Sequence, residues 1–203
     1  MTARLFWESG AMGQRMFVAL MPPAPVREDL AAFLEPRAEH PWIAEEQWHI
    51  TLAFMADVPD RAVDELIDGL ASAAARRTPL NLQLAGAGAF PDPWSAKVLW
   101  MDVRGDVEEL ERLATNVRNS AQHAGADPDG RAFRPHLSVS HLRRVQEQTR
   151  WVRVLDTYSG PTWTASEICL VESHLGSGPH GRPRHEIVAT APLIGRESDA
   201  FAE

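Results

Sequence analysis

Apolar residues along this chain fall into short continuous runs, strict alternations and helical spacings, and proline or glycine marks most of the changes between them. Met16-Phe17-Val18-Ala19-Leu20-Met21 is an unbroken apolar run stopped by Pro22 and Pro23, the pattern of a strand buried on both faces. Val26, Leu30, Phe33 and Leu34 then share one face of a helix. Pro36 and Pro41 break the chain ahead of Trp48-His49-Ile50-Thr51-Leu52-Ala53-Phe54, an alternating strand closed by Pro59. Val63, Leu66, Ile67, Leu70 and Ala74 predict a helix from about Asp60 to Arg77. Leu80 to Leu84 alternates strictly and Lys97 to Val103 reads as a further strand, with Pro91, Pro93 and Trp94 in the loop between. Asp106 followed by Glu109 has the form of an aspartate capping box, and Val107, Leu110, Leu113, Ala114, Val117 and Ala121 predict a helix ending near Gly125. Asp127-Pro128-Asp129-Gly130 is a turn leading into Arg134-Pro135-His136-Leu137-Ser138-Val139-Ser140. Gln146 to Leu155 reads as helix or loop, Thr162 to Val171 and Glu186 to Thr190 as strands, and the Gly- and Pro-rich segment between those two as a hairpin-like loop.

This order predicts one compact domain over residues 15–193, with 1–14 as an N-terminal extension lacking a leader cleavage pattern and 194–203 as a disordered tail. Helix followed by histidine strand occurs twice, once ahead of His49 and once ahead of His136, which points to a coarse internal duplication. Residues i and i+2 of a strand share a face, so His49 with Thr51 forms one polar row and His136 with Ser138 and Ser140 another. Ile50, Leu52 and Phe54, and Leu137 and Val139, are expected to face a core. Taken singly, each motif reads more readily as a half-exposed strand with a histidine on its wet side than as a catalytic group. Of the eight histidines, however, only His49 and His136 have Ser or Thr two residues on, and two such pairs brought together make a metal-free acid–base site.

Composition narrows the classes. The chain of 203 residues, 44% hydrophobic and 24% charged, has no apolar run long enough for a membrane helix, and no membrane partner is expected. Its single cysteine, Cys169, lies in an apolar run where a buried inert thiol is expected, which suits a cytoplasmic protein. A formal net charge of −8 argues against broad electrostatic gripping of nucleic acid. Any polyanion must be met locally, and Arg131, Arg134, Arg143 and Arg144 cluster around the second motif. No obligate protein partner is inferred.

With these residues in view, the chain resembles the bacterial and archaeal RNA 2',3'-cyclic phosphodiesterases, also called 2'-5' RNA ligase-like proteins, of the two-histidine phosphoesterase superfamily. The resemblance runs from Arg15 to about Leu193 and rests on Met16-Phe17-Val18-Ala19-Leu20, His49-Ile50-Thr51-Leu52-Ala53-Phe54, Gly88-Ala89-Phe90-Pro91, Val98-Leu99-Trp100, Phe133-Arg134-Pro135-His136-Leu137-Ser138 and Leu170-Val171-Glu172-Ser173. It implies a bilobal, pseudo-twofold duplicated α+β fold, with two mainly antiparallel sheets facing a central cleft and helices outside. It also implies opening of 2',3'-cyclic phosphates on RNA ends or small cyclic nucleotides to 2'-phosphates, without metal or cofactor, together with reversible 2'-5' RNA ligation. His136 would activate water, His49 would protonate the leaving 3' oxygen, and Thr51 and Ser138 would donate to the phosphate oxygens. Arg134 is a candidate phosphate or ribose contact. Phe17, Trp42, Trp48 and Trp94 are candidates to stack a base.

Three departures stand out: Ser138 where threonine is more usual, His141 where many members have Arg, and His185 where many have Tyr. His141 lies an odd number of residues from His136, so a regular strand would point it away from the site and a bulge would bring it back. The alternatives are a relative acting on another phosphodiester, such as a 2'-5' oligonucleotide or a nucleotide-sugar cyclic phosphate, a non-catalytic binder of RNA ends, and a zinc site at His174, His180 and His185.

Overall fold

The computed structural model describes residues 13–178 and 181–195 and is α+β. The strands are β1 (Gln14–Leu20), β2 (Ile50–Val58), β3 (Leu80–Phe90), β4 (Ala96–Gly105), β5 (His136–Gln146), β6 (Ser159–Ala165), β7 (Glu167–His174) and β8 (Arg184–Pro192). The helices are α1 (Ala24–Leu34), α2 (Val63–Ala75), α3 (Val107–His123) and α4 (Thr149–Leu155). The segment read as helix or loop therefore starts on the last residue of β5, Gln146, crosses Glu147 and Gln148 as loop, and is helix from Thr149. The extension and tail expected at the two ends fall almost wholly outside the described residues.

All strands pair antiparallel in one sheet of order β6-β3-β4-β5-β2-β1-β7-β8. This corrects the expectation of two separate sheets. Two four-stranded halves meet at a single residue pair, Ile50 with Leu137, so the histidine strands β2 and β5 are neighbours across the seam. The helices also cross it: α1, which follows β1, packs on β6 of the other half, and α3, which follows β4, packs on β2.

The helices cover one face, where Val26, Leu30, Leu66, Leu70, Leu110, Leu113 and Val117 meet Met16, Val18, Leu20, Ile50 and Leu52 in the main core. β1 is central, between β2 and β7, and its other face buries Phe17 and Ala19 against Cys169 and Val171. That double burial is what its continuous apolar run encodes. α3 ends as its sequence predicts: Gly125 takes φ 77°, and the Gly125 and Ala126 amides close on Gln122 and Ala121 at 3.1 and 2.9 Å in a Schellman arrangement. Its start differs from expectation. Asp106 makes no side-chain cap and instead accepts the Asn81 amide at 2.8 Å, while Glu109 pairs with Arg77 at 3.0 Å.

Two bulges reset the faces of the histidine strands. In β2 the partners step from Val18–Ala53 to Ala19–Thr51, so β2 carries one extra residue, Leu52. In β5 they step from Leu99–Ser140 to Trp100–Ser138, which leaves Val139 extra. Each bulge inverts the alternation beyond it. Phe54, expected in the core, turns to the cleft, and Ser140, expected on the polar row, is buried. His141 is delivered to the cleft by the same inversion.

Candidate active site

His49 stands immediately before β2 and His136 opens β5, so the two imidazoles come from opposite sides of the seam. Each is held in the same way. Nδ1 of His49 lies 2.7 Å from the Gln47 carbonyl, and Nδ1 of His136 lies 2.7 Å from the Arg134 carbonyl. A carbonyl can only accept, so Nδ1 carries the proton in both rings and the Nε2 lone pair is left free in the neutral form. The local sequence aims those carbonyls: Gln47 closes a single 3-10 turn before Trp48 becomes extended, and Pro135 biases Arg134 away from helical geometry.

Each ring also has an aromatic neighbour on an adjoining strand. Phe17 stacks on His49 at 4.5 Å and 22°, and His185 from β8 meets both edge-on at 5.0 and 5.5 Å. Phe90 meets His136 edge-on at 4.9 Å, and Trp100 lies 6.2 Å away. The Arg134 guanidinium lies over Trp100 at 4.3 Å, a cation–π contact. That arrangement depends on Gly88, because a β-carbon there would overlap the Trp100 indole.

One cavity of about 490 Å³ is lined by His49, Thr51, His136, Ser138, Phe17 and His141. A second chamber of about 470 Å³ adjoins it, sharing Thr51, His136 and Ser138 and adding Arg134. The residues singled out from the sequence as site residues are thus brought together. Of the other stacking candidates, Trp48 is buried in the core and Trp94 is 73% exposed on its loop. Trp42 lines a neighbouring groove and not this cavity. Cys169 is buried, which pushes its thiol up to about 11.

The sequence reading missed Arg15 and Phe54 as cavity residues and treated His185 only as a departure. Arg15 sits at a register shift between Gln14 and Met16, and its guanidinium lies 4.3 Å over Phe54. It has no carboxylate partner among the described residues. Nothing in the sequence separates it from a residue at a domain edge. Of the histidines of the alternative zinc reading, His185 belongs to the cavity and His174 lies 3.5 Å from both Glu172 and Glu186, while His180 is outside the described residues.

Burial pushes His49 down to about 4, assisted by the nearby His185, His136 and His141 and opposed by the Gln47 carbonyl. Burial also lowers His136, with Arg134 acting in the same direction and the Arg134 carbonyl and Asp102 opposing. His141 is lowered by burial and by His136, and His185 by burial and by Arg15. The cavity therefore presents neutral imidazoles beside Arg15, Arg131 and Arg134, and the one carboxylate among its described lining residues, Asp129, lies 3.9 Å from Arg118 and 3.8 Å from Arg131. Such a site favours an anion, and a bound anion returns protons to the rings.

The chain is similar to known proteins in sequence and in fold. The profile of the 2'-5' RNA ligase superfamily matches residues 22–177. An RNA 2',3'-cyclic phosphodiesterase of Geobacillus stearothermophilus is 30% identical over 156 residues, which is 76% of this chain and 48% of that protein. The chain therefore spans about half the length of that relative. The RNA 2',3'-cyclic phosphodiesterase of Escherichia coli K12 is 31% identical over 138 residues, 66% of this chain and 74% of the relative. Among solved structures, E. coli LigT in apo form has a TM-score of 0.69 at 26% identity, covering 90% of this chain and 98% of LigT. LigT complexed with 3'-AMP gives 0.68 at 27% identity, covering 89% and 98%. The match takes in both histidine strands and more than half of the chain, and on that ground this chain belongs to the 2'-5' RNA ligase superfamily.

Proposed function

We propose that this chain hydrolyses 2',3'-cyclic phosphate ends of RNA to 2'-phosphates by metal-independent, two-histidine acid–base catalysis. The observation that carries the reading is the matched pair of imidazoles, each with Nδ1 tied to the carbonyl two residues back, lining one cavity with Thr51 and Ser138. The names of the relatives support the substrate class.

In this reading water attacks phosphorus as His136 Nε2 takes its proton. The bond from phosphorus to the ribose 3' oxygen breaks, and His49 Nε2 gives its proton to that oxygen. The product is a 2'-phosphate beside a free 3'-hydroxyl, and proton exchange with solvent restores both rings. A neutral His49 cannot act as an acid, so it must take up a proton first, and the negative charge of the arriving phosphate drives that uptake. Each well-placed imidazole contributes about 10²–10⁴-fold. The Thr51 and Ser138 hydroxyls meet charge building on the non-bridging oxygens, and Arg134 holds the phosphate or ribose from the adjoining chamber. Phe17 keeps the His49 ring flat against β1. With the 5'-hydroxyl of a second strand in place of water, the same pair in the same roles opens the ring: His136 takes the hydroxyl proton, the bond to the 3' oxygen breaks with a proton from His49, and a 2'-5' phosphodiester joins the ends.

Phosphorus NMR of a 2',3'-cyclic mononucleotide and of a short RNA with a cyclic end, each incubated with the protein, tests the reading. A 2'-phosphate is expected. A 3'-phosphate, or an unaltered cyclic end in the presence of folded protein, rejects it.

A further inference from the structure

A groove of about 840 Å³ leaves the catalytic cavity along the far end of β5. The two are continuous, because Ile43, Gln47, His141 and Pro183 line both. Arg143, Arg144 and Arg182 line the groove, and no Asp or Glu does among the described residues. None of the three arginines has a carboxylate at ion-pair distance among the described residues. In a chain of formal net charge −8, this is a local reversal of sign beside the site.

The fold builds the groove deliberately out of strand irregularity. β4 and β5 pair at Val98–His141 and again at Ala96–Gln146, so the five-residue step on β5 faces a two-residue step on β4 and the arginine-bearing segment swings away from the sheet. Lys97 Nζ donates to the Arg143 carbonyl at 2.7 Å and holds that excursion in place. On the opposite wall, Gln47 Nε2 donates to the Pro183 carbonyl at 2.8 Å, fixing the segment that carries Arg182 beside the turn preceding His49. Trp42 adds an aromatic wall. A cationic groove with an aromatic side is how single-stranded nucleic acid is tracked, through backbone phosphates and base stacking.

We propose that this groove holds the phosphates of the nucleotides preceding the cyclic end, so that the protein selects an RNA strand over a free cyclic mononucleotide. The inference rests on the function proposed above and refines its substrate class. Three phosphate contacts on a single strand correspond to a slope of log affinity against log salt that is steeper by about 2.

The test compares the parent with the combined variant Arg143→Ser, Arg144→Ser, Arg182→Ser, all three positions being exposed. Fluorescence anisotropy follows binding of a labelled eight-nucleotide RNA ending in an unreactive 2'-phosphate across a salt series, and kcat/KM is measured on a 2',3'-cyclic mononucleotide. The variant is expected to bind the RNA at least about tenfold more weakly at low salt, with the slope reduced by about 2 and mononucleotide kcat/KM within twofold of the parent. Unchanged RNA affinity and slope overturn the groove, as does a parent that binds no RNA or a variant whose mononucleotide turnover falls as far as its RNA affinity. The two readings separate cleanly. A parent that turns over the mononucleotide while the variant keeps full RNA affinity loses the groove alone. A parent without turnover whose RNA binding needs the arginines loses the hydrolysis and keeps the groove.

Discussion

Acid should unfold this protein partly through His49. The half-buried ring is pushed from the ordinary 6.5 to about 4, with burial the largest cause. The folded state therefore binds fewer protons than the unfolded chain between those values, and stability present above pH 6.5 is lost as pH falls toward 4. Between these two values His49 alone costs about 2 kcal/mol at pH 5 relative to neutral pH, approaching about 3 kcal/mol near pH 4. His136, His141 and His185 are shifted in the same direction, so the parent alone does not isolate the effect. His49→Gln removes the titrating group and leaves the others. Urea unfolding of both proteins at pH 7.5 and pH 5 should show the parent losing about 2 kcal/mol more than the variant over that interval. Parallel losses in the two proteins would refute the reasoning, because His49 would then bind its proton equally well folded and unfolded.

Thr51→Val and Ser138→Ala should each lower kcat by about 10²–10³ with little change in KM, since their hydroxyls are assigned to charge that develops in the transition state; steady-state kinetics on a cyclic nucleotide would show this, and a change confined to KM would contradict it. Ser140→Ala should destabilise by about 1–3 kcal/mol without removing any cavity group. The buried Ser140 hydroxyl donates to the Pro41 carbonyl at 3.0 Å and so must accept from His40 Nε2 at 3.0 Å, and its loss leaves both partners unpaired. Chemical denaturation measures this, and a cost below about 0.5 kcal/mol would show the pin to be idle.

Much of the fold was readable because local pattern and tertiary role agree. The apolar run of β1 is buried on both faces, and α3 carries its core on the predicted positions. The residues that share the cavity could be picked out for a different reason: a histidine with a hydroxyl two residues on, occurring twice, singled out the positions that the fold brings together. What could not be read lies in the pairing between strands. The bulges at Leu52 and Val139 are set by partners on β1 and β4, so Phe54, Ser140 and His141 all reverse the faces that simple alternation assigns. The adjacent Leu52 and Ala53, both buried, are the one trace left in the sequence, and Val139-Ser140 leaves none. The Asp106 cap failed because the Asn81 amide, brought alongside by the end of the β3–β4 hairpin, takes the carboxylate first. The joining of the two halves rests on one residue pair and on helices that cross the seam, neither of which has a local signature.

The central claim is that two imidazoles, rather than a metal or binding alone, carry the reaction. Single-turnover hydrolysis of an RNA bearing a 2',3'-cyclic end, measured in excess chelator for the parent, His49→Ala and His136→Ala, tests it most directly. Turnover by the parent that survives chelation and falls by at least about 10² in each variant is the predicted result. Turnover that chelation abolishes, or that either variant retains, would contradict it.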